Sequence, residues 1–474
     1  MNIENFKDKI PVYVKNIGSK LIENGYEAYL VGGCVRDTLL EKSPKDWDIA
    51  TNATPDKIVE IFPRSILIGA RFGTVTVLEE DNNNETFQVE ITTYRIEEDY
   101  VGGRWPEKVE FASNIEDDLS RRDLTINAFA YNLHSDTNEL LDFHGGLIDL
   151  EQKIIRAVGN PIDRFSEDGL RAFRACRFAS TLQYEIDKNT FDAIKETLTV
   201  SKMVSVERIQ SEFTRLLIES PKPSYGIELL RESGLLSLFL PELLEGYGVD
   251  QNDYHHDDVY WHSLHCADIA PDKIKLAALF HDIGKPRKKD GPHFYGHDIE
   301  GAEMTKVIMK RLKFSNDEID RISNLIRWHM FYYPFSKEET EDGKIVERTE
   351  MMNKGWTDHA VRRFIRNVGG QDAVNELFML RIADATCNKK SAWDPEEIDA
   401  LQLRISKVLQ EDIALKVTDL DISGTDIMEL GVKQGPDIKA VLNFLLEKVE
   451  ENPLNNDKIV LQEIAKDYIK SMTE

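Results

Sequence analysis

Leu30-Val31-Gly32-Gly33-Cys34-Val35-Arg36-Asp37, with Lys45-Asp46-Trp47-Asp48-Ile49-Ala50 shortly after it, is the stretch whose reading decides the fold. Ala28–Val31 reads as a buried strand and Cys34–Leu40 as the start of a helix. The glycine pair between them lets a phosphate approach the backbone. Lys45–Ala50 reads as a second strand, and the side-chain period of two puts Asp46 and Asp48 on one face. Paired carboxylates beside a phosphate cradle suit two hard divalent ions that activate a hydroxyl and hold a triphosphate. The same letters also fit a glycine hairpin followed by a solvated acidic strand.

Outward from this stretch, residues 26 to about 155 alternate strands with short helices. Phe72–Leu78 and Phe87–Thr93 read as strands joined through the polar Glu79–Glu85 hairpin, with Asn82, Asn83 and Asn84 at its turn. Glu90, between Val89 and Ile91, is the candidate third carboxylate. Ser120–Ala128 places Arg121, Arg122 and Asp123 at the start of an expected helix, where arginine binds phosphate bidentately. Beyond Arg164 the pattern turns helical. Glu167–Phe178 reads as one helix, with Asp168, Arg171, Arg174 and Arg177 forming a ridge for phosphates or base edges, or an ion-pair ladder.

Read in order, LVGGCVRDTLL, KDWDIAT, GTVTV, VEITTYR, SRRDLTINA, DFHGG, RFSEDGLRAFRACRF and SVERIQSEFTRLL resemble the class II tRNA nucleotidyltransferase and bacterial poly(A) polymerase family, over about the first half of the chain. The resemblance implies that Asp46 and Asp48 hold Mg2+, with Glu90 as the nearby third catalytic carboxylate. It implies that Gly33, Arg36 and Arg122 contact the incoming nucleotide and that Arg174 and Arg177 continue the phosphate-binding ridge. Asp168 and Arg171 match the family's pair that reads the base. Cytosine and adenine both offer an exocyclic amine beside a ring-nitrogen acceptor, so a carboxylate and an arginine select them together. Guanine and uracil present an oxygen to that carboxylate and are rejected.

The implied activity is Mg2+-dependent, template-independent building or repair of the 3′-CCA end of tRNA from CTP and ATP, in a two-metal transfer that releases pyrophosphate. A-only addition and poly(A) synthesis are the alternatives within the family. Arg95–Val109 matches the family's flexible loop, undeleted, which weighs against CC-only addition. Gly73–Val77 resembles the CCA-adding branch, while Ala70-Arg71-Phe72 departs from its commonest pattern and leaves A-only addition open.

A second constellation follows. Trp261-His262-Ser263-Leu264, Phe280-His281-Asp282-Ile283-Gly284-Lys285, His297, His329 and Asp384 offer imidazoles and carboxylates to a divalent metal. FHDIGK, with a histidine on the preceding helix and the later Asp384, resembles the HD superfamily of metal-dependent phosphohydrolases. That resemblance makes His262, His281, Asp282 and Asp384 metal ligands, with His297 and His329 available to a second ion. Manganese, nickel, cobalt, iron and magnesium all suit such sites. A phosphohydrolase acting mainly here is the competing function of another class, and an RNA-binding module with both sites inactive is the third.

The bulk numbers agree. A chain of 474 residues predicts three or four domains. The expected class is α+β: a small mixed-sheet nucleotidyltransferase head (1–155), a helical neck that reads the nucleotide and binds RNA (156–245), an HD metal-binding domain (246–389) and a helical, tRNA-binding tail (390–474). Tyr247–Asp258 reads as a joining segment and Lys337–Glu350 as an exposed loop or insertion. A net charge of −26 argues against broad nucleic-acid binding, though not against a local basic groove. The partners expected are the tRNA 3′ end, CTP and ATP, with no DNA and no membrane. Four scattered cysteines without a CxxC, and no signal-peptide pattern, predict a cytoplasmic enzyme with reduced thiols.

Overall fold

The computed structural model describes residues 5–67, 73–80, 85–101, 105–112, 114–134, 139–251, 257–333, 337–339, 345–347, 356–388, 396–409 and 417–473. Ala70–Phe72, Asn82–Asn84 and residues 252–256 of the Tyr247–Asp258 segment lie outside them. The chain divides into two compact units, Met1–Pro241 and Glu242–Glu474, so the division falls ahead of Tyr247.

The first unit is built on a seven-stranded mixed sheet. Its strands are β1 (Tyr29–Val31), β2 (Asp48–Thr51), β3 (Ser65–Ile66), β4 (Thr74–Glu80), β5 (Thr86–Thr93), β8 (Ala130–Asn132) and β9 (Leu140–Leu141), in the order β3-β4-β5-β2-β1-β8-β9. β2 and β5 run parallel, and the other neighbours are antiparallel. Arg95–Val109, expected as a loop, instead contributes β6 (Arg95–Val101) and β7 (Trp105–Phe111) to a separate antiparallel hairpin.

Alternation sets the two faces of the large sheet. Ile49, Val75, Val77, Val89 and Ile91 are buried on one side, where the helices Val12–Glu23 and Pro55–Ile61 cover them. On the other side Ala50 packs with Val31, Ile115, Leu119 and Ala130, so the Ile115–Ser120 helix closes one end of that face. Asp48 and Glu90 lie on the uncovered part of it.

Two helical expectations are corrected. Arg121–Asp123 do not open a helix; they follow the Ile115–Ser120 helix and lead into a short 3-10 turn at Thr125–Asn127. Glu167–Phe178 is not one helix either. The Pro161–Glu167 helix stops at Asp168, whose backbone is extended, and a new helix runs Leu170–Leu182. Gly169 lies at the break: a Cβ there would lie 2.6 Å from Ser201 Cα, so only glycine lets the two backbones meet.

The second unit is almost wholly helical. Val259–Ile269, Lys275–Phe280, His297–Arg311, Asn316–Trp328, Asp358–Val368 and Gln371–Cys387 form its first part. The tail helices Gly424–Glu429, Pro436–Glu451 and Lys458–Thr473 enclose a second core, in which Leu420, Ile427, Val441, Leu445, Val449 and Leu461 are buried. Within Lys337–Glu350, Lys337–Glu339 pairs with Ile345–Glu347 as a short hairpin rather than a plain loop. Among the described residues no helix is long and apolar enough to cross a membrane.

Candidate functional site

In the first unit, the glycine turn and the second strand meet at the sheet's open face. β2 begins at Asp48, not at Lys45, so Asp46 precedes the strand; Trp47 and Ile49 are buried on either side of Asp48, and Asp46 is exposed. Asp48 pairs in register with Glu90 on the parallel neighbour β5. In-register residues of adjacent strands share a face, so two carboxylates stand side by side, with Asp46 two residues before Asp48. Burial, then the Glu90 and Asp46 charges, push the Asp48 carboxyl up to about 6 against the opposing pull of Arg122. A carboxylate that its neighbours keep partly protonated is a site for a cation, and this donor set fits a hard divalent ion.

The sign of this effect gives a prediction. Because the folded value lies above the ordinary 3.8, metal-free protein loses stability as pH rises through that window and carries the full penalty above about 6. Mg2+ is therefore expected to raise the melting temperature more at about pH 8 than at about pH 5. Thermal unfolding of the wild type and Asp48→Asn, with and without Mg2+, checks this: the pH-dependent gain should vanish in the variant.

Gly32 has φ +76°, and a Cβ there would lie 2.8 Å from Arg122 Nη1, so the turn needs glycine both for its backbone and for the arginine over it. Gly33 is half-buried with space above it. Arg122 also reaches Asp118 at 3.2 Å. Arg36 is buried, donates to Asn127 Oδ1 at 2.6 Å and stacks over Phe178.

Beside this face, Arg121, Arg122, Asp123, Asp168, Leu170, Arg171, Arg174 and Arg208 line a cavity of about 330 Å³. Four of the expected nucleotide-binding residues thus come together: Arg122, Asp168, Arg171 and Arg174. Asp168 accepts from both terminal nitrogens of Arg208, at 3.1 and 2.6 Å. Arg171 bonds Glu167 and donates to the Arg121 and Arg164 carbonyls at 3.0 and 3.1 Å. Arg174 donates to Asp123 at 2.7 Å. Burial alone would raise the Asp123 carboxyl, but Arg174 and Arg171 hold it far below the usual range.

Arg36 and Arg177 do not line this cavity. Arg177 is 1% exposed and donates to Glu212 Oε2 at 2.5 Å. On an α-helix a three-residue step falls short of a full turn by about 60°, so two steps carry Arg177 about 120° away from Arg171. The expected four-residue ridge is corrected accordingly: Arg177 turns inward and ties its helix to Val206–Glu219 as an ion pair. Arg208 is the residue that reading from sequence passed over. Its signal was the position of an arginine on the first turn of SVERIQSEF, legible only once Asp168 is known to leave the helix.

In the second unit, six expected ligands converge. His262 lies on Val259–Ile269, His281 and Asp282 follow Lys275–Phe280, His297 opens His297–Arg311, His329 follows Asn316–Trp328, and Asp384 lies on Gln371–Cys387. Gly284 brings the elements together, because a Cβ there would strike the His297 carbonyl and lie 2.6 Å from Gly301 N. The Nδ1–H groups of His281, His297 and His329 donate to the carbonyls of Ala278, Phe294 and Ile326 at 2.7, 2.7 and 2.6 Å. Each such bond fixes the tautomer and leaves an Nε2 lone pair for a metal.

Those lone pairs converge. His262 Nε2 is 3.1 Å from Asp384 Oδ1, and His281 Nε2 is 3.1 Å from Asp282 Oδ2. Asp282 Oδ1 is 3.4 Å from His297 Nε2 and 3.8 Å from His329 Nε2. Asp282 therefore faces two ligand groups, one through each oxygen. His281 Nε2 is buried without an aligned hydrogen bond, which fits ligation of a cation, whereas Asp282 Oδ2 has the Lys285 ammonium beside it. Burial lowers the His281 imidazole, but Asp282 and Asp384 outweigh it and lift it to about 9, so in the metal-free protein its Nε2 holds a proton that a metal ion would displace; burial, His281 and His297 push His329 down to about 3. Lys285, missed from sequence, is buried with Nζ 2.6 Å from Asp282 Oδ2. A cavity of about 340 Å³ opens beside the cluster, lined in part by Lys285, His293, Tyr295 and Arg381.

Comparison with known proteins gives three family matches along the chain: the poly A polymerase head domain over residues 28–156, the probable RNA and SrmB-binding site of polymerase A over 183–246, and the HD domain over 250–389. The CCA-adding enzyme of Lactococcus lactis subsp. cremoris (strain SK11) is 31% identical over 470 residues, covering 97% of this chain and 98% of that protein. The CCA-adding enzyme of Lactococcus lactis subsp. lactis (strain IL1403) is 43% identical over 239 residues, covering 50% of this chain and 58% of that protein. The solved CCA-adding enzyme of Bacillus stearothermophilus in complex with CTP shares the fold, with a TM-score of 0.66 at 24% identity over 97% of this chain and 98% of that one.

Proposed function

The chain belongs to the CCA-adding enzyme family of tRNA nucleotidyltransferases, and from that premise we propose that it builds or repairs the 3′-CCA end of tRNA from CTP and ATP. The tRNA 3′-hydroxyl attacks the α-phosphate and pyrophosphate leaves. One observation carries the reading: Asp48 and Glu90 stand opposite each other in register, the Asp46 charge is near enough to raise the Asp48 carboxyl, and Arg122, which pulls on Asp48, lines an arginine-rich cavity. Mg2+ held by Asp46 and Asp48 would acidify the attacking hydroxyl and neutralise the triphosphate. Arg122, over the glycine turn, and Arg174 supply further positive charge for phosphate oxygens. Asp168 accepts from the exocyclic amine of cytosine or adenine, while Arg171 donates to the ring nitrogen beside it.

Complexes of related enzymes with CTP and with tRNA agree with this choice of substrates. The division into head, neck, HD domain and tail, with neck and tail binding tRNA, belongs to the same proposal, as does a cytoplasmic setting for its free thiols. The test is direct. tRNAs ending before CCA and ending in CC are incubated with CTP, ATP or both. Addition of C from CTP alone, and of a single A to the CC end, supports the reading; long A tracts on the CC end favour poly(A) synthesis instead.

Arg208 acts through Asp168 as a positioning residue. Arg208→Ala is expected to lower the preference for CTP over UTP by about tenfold, the worth of a charge-assisted hydrogen bond that aims the carboxylate. Ratios of kcat/KM for the two nucleotides check this, since a general loss of stability would lower both alike.

A second reading concerns the other unit and is favoured by the two-sided placement of Asp282. We propose that His262, His281, Asp282 and Asp384 hold one divalent metal and Asp282, His297 and His329 another, for phosphoester hydrolysis. His281→Ala should abolish hydrolysis of a phosphomonoester and leave CTP incorporation intact.

A further inference from the structure

Cys266 is buried on the helix that carries His262. It lies four residues after His262 on the Val259–Ile269 helix, a spacing that puts both side chains on one face. Its Sγ is 3.6 Å from His262 Nε2. Single ligand atoms of His262, Cys266, His281 and Asp384 all lie within 4.8 Å of one another. Sulfur and nitrogen donors bonded to one ion at about 2.3 and 2.1 Å would stand roughly 3–4 Å apart, which includes this distance. The thiol is fully buried, so the sulfur faces this cluster and not solvent.

We propose that Cys266 is a thiolate ligand of the metal held by His262, His281 and Asp384. The inference rests on the reading of this unit as a metal site. On coordination the S–H bond breaks, a sulfur–metal bond forms and the proton passes to solvent. A sulfur donor among nitrogen and oxygen donors shifts the site's preference from magnesium and manganese toward zinc, cobalt or iron. Asp282, which also turns an oxygen toward His297 and His329, leaves the second position with harder donors, so the two positions differ in their choice of ion.

Co2+ is the probe, added to the full-length metal-free protein. The wild type, Cys266→Ser, Cys387→Ser and His281→Ala are compared by absorption. Cys387 is included because it lies within hydrogen-bond reach of Cys266. The expected wild-type spectrum has visible d–d bands and a near-ultraviolet sulfur-to-cobalt charge-transfer band. Cys266→Ser keeps d–d bands and loses the charge-transfer band, while Cys387→Ser keeps both. If d–d bands appear, depend on His281 and carry no charge-transfer band, the thiolate assignment is overturned and the metal site stands. A charge-transfer band lost only in Cys387→Ser also overturns it. If no d–d band depends on His281, the metal reading fails and the thiolate assignment falls with it.

Discussion

Replacing Asp48 by alanine lowers CTP incorporation into tRNA lacking its CCA end by about a thousandfold or more, while the metal-free head becomes more stable. The rate loss follows from removing a carboxylate that positions a divalent ion, whose charge stabilisation is worth several kcal/mol, at about 1.4 kcal/mol per tenfold. The gain in stability follows from burial and the crowding of like charge: burial, then Glu90 and Asp46, raise the Asp48 carboxyl, so its removal relieves a penalty that Arg122 only partly offsets. A residue kept for packing alone would lose stability on truncation. Single-turnover incorporation and thermal unfolding in chelator, measured on the same preparation, check both halves. Cobalt or zinc content at the second site should not change, because none of its ligands comes from this part of the chain.

Glu212→Ala destabilises the first unit by about 3–5 kcal/mol, the cost of leaving a buried charge without its partner. Arg177 is 1% exposed and Glu212 6% exposed, so water replaces little of what the truncation removes. Glu219 is 3.6 Å from Arg177 and takes up part of the charge, and the guanidinium stacks 4.1 Å from the Phe178 ring. Arg174, 3.9 Å from Glu212, loses a second contact. Urea unfolding checks the magnitude. Glu212→Gln should cost less, since its amide oxygen still accepts from Arg177, and Arg177→Met combined with Glu212→Ala should recover much of the loss. A cost under about 1 kcal/mol for Glu212→Ala would mean that Arg177 is not held there as a structural pair.

Strand alternation made the carboxylate face legible from sequence, because Val89 and Ile91 around Glu90, and Trp47 and Ile49 around Asp48, carry the period of two in their own side chains. The convergence of the histidines and aspartates was legible for a different reason: the string Phe280–Lys285 resembles the HD superfamily, and its glycine has its place fixed by the crossing of the His297–Arg311 helix. Helical periodicity served less well between residues 167 and 178. It cannot register a break forced by a distant backbone, and Gly169 is glycine because Ser201 lies against it. The same break moved Asp168 toward Arg208, forty residues along the chain, which no local pattern encodes. Arg177 misled because a three-residue repeat looks like a stripe in one dimension and winds around the helix in three. Cys266 was set aside with cysteines judged by CxxC spacing, whereas the informative spacing was to a histidine one turn earlier.

Asp46 and Asp48 are proposed to grip a divalent ion where a nucleoside triphosphate meets the end of an RNA. The most direct measurement is a crystal of the protein with Mn2+ and a non-hydrolysable CTP analogue, read by manganese anomalous scattering. The account predicts an anomalous peak between the Asp46 and Asp48 carboxylates and the triphosphate, with the cytosine amine facing Asp168. A peak confined to the histidine cluster, or a triphosphate bound away from both aspartates, would contradict it.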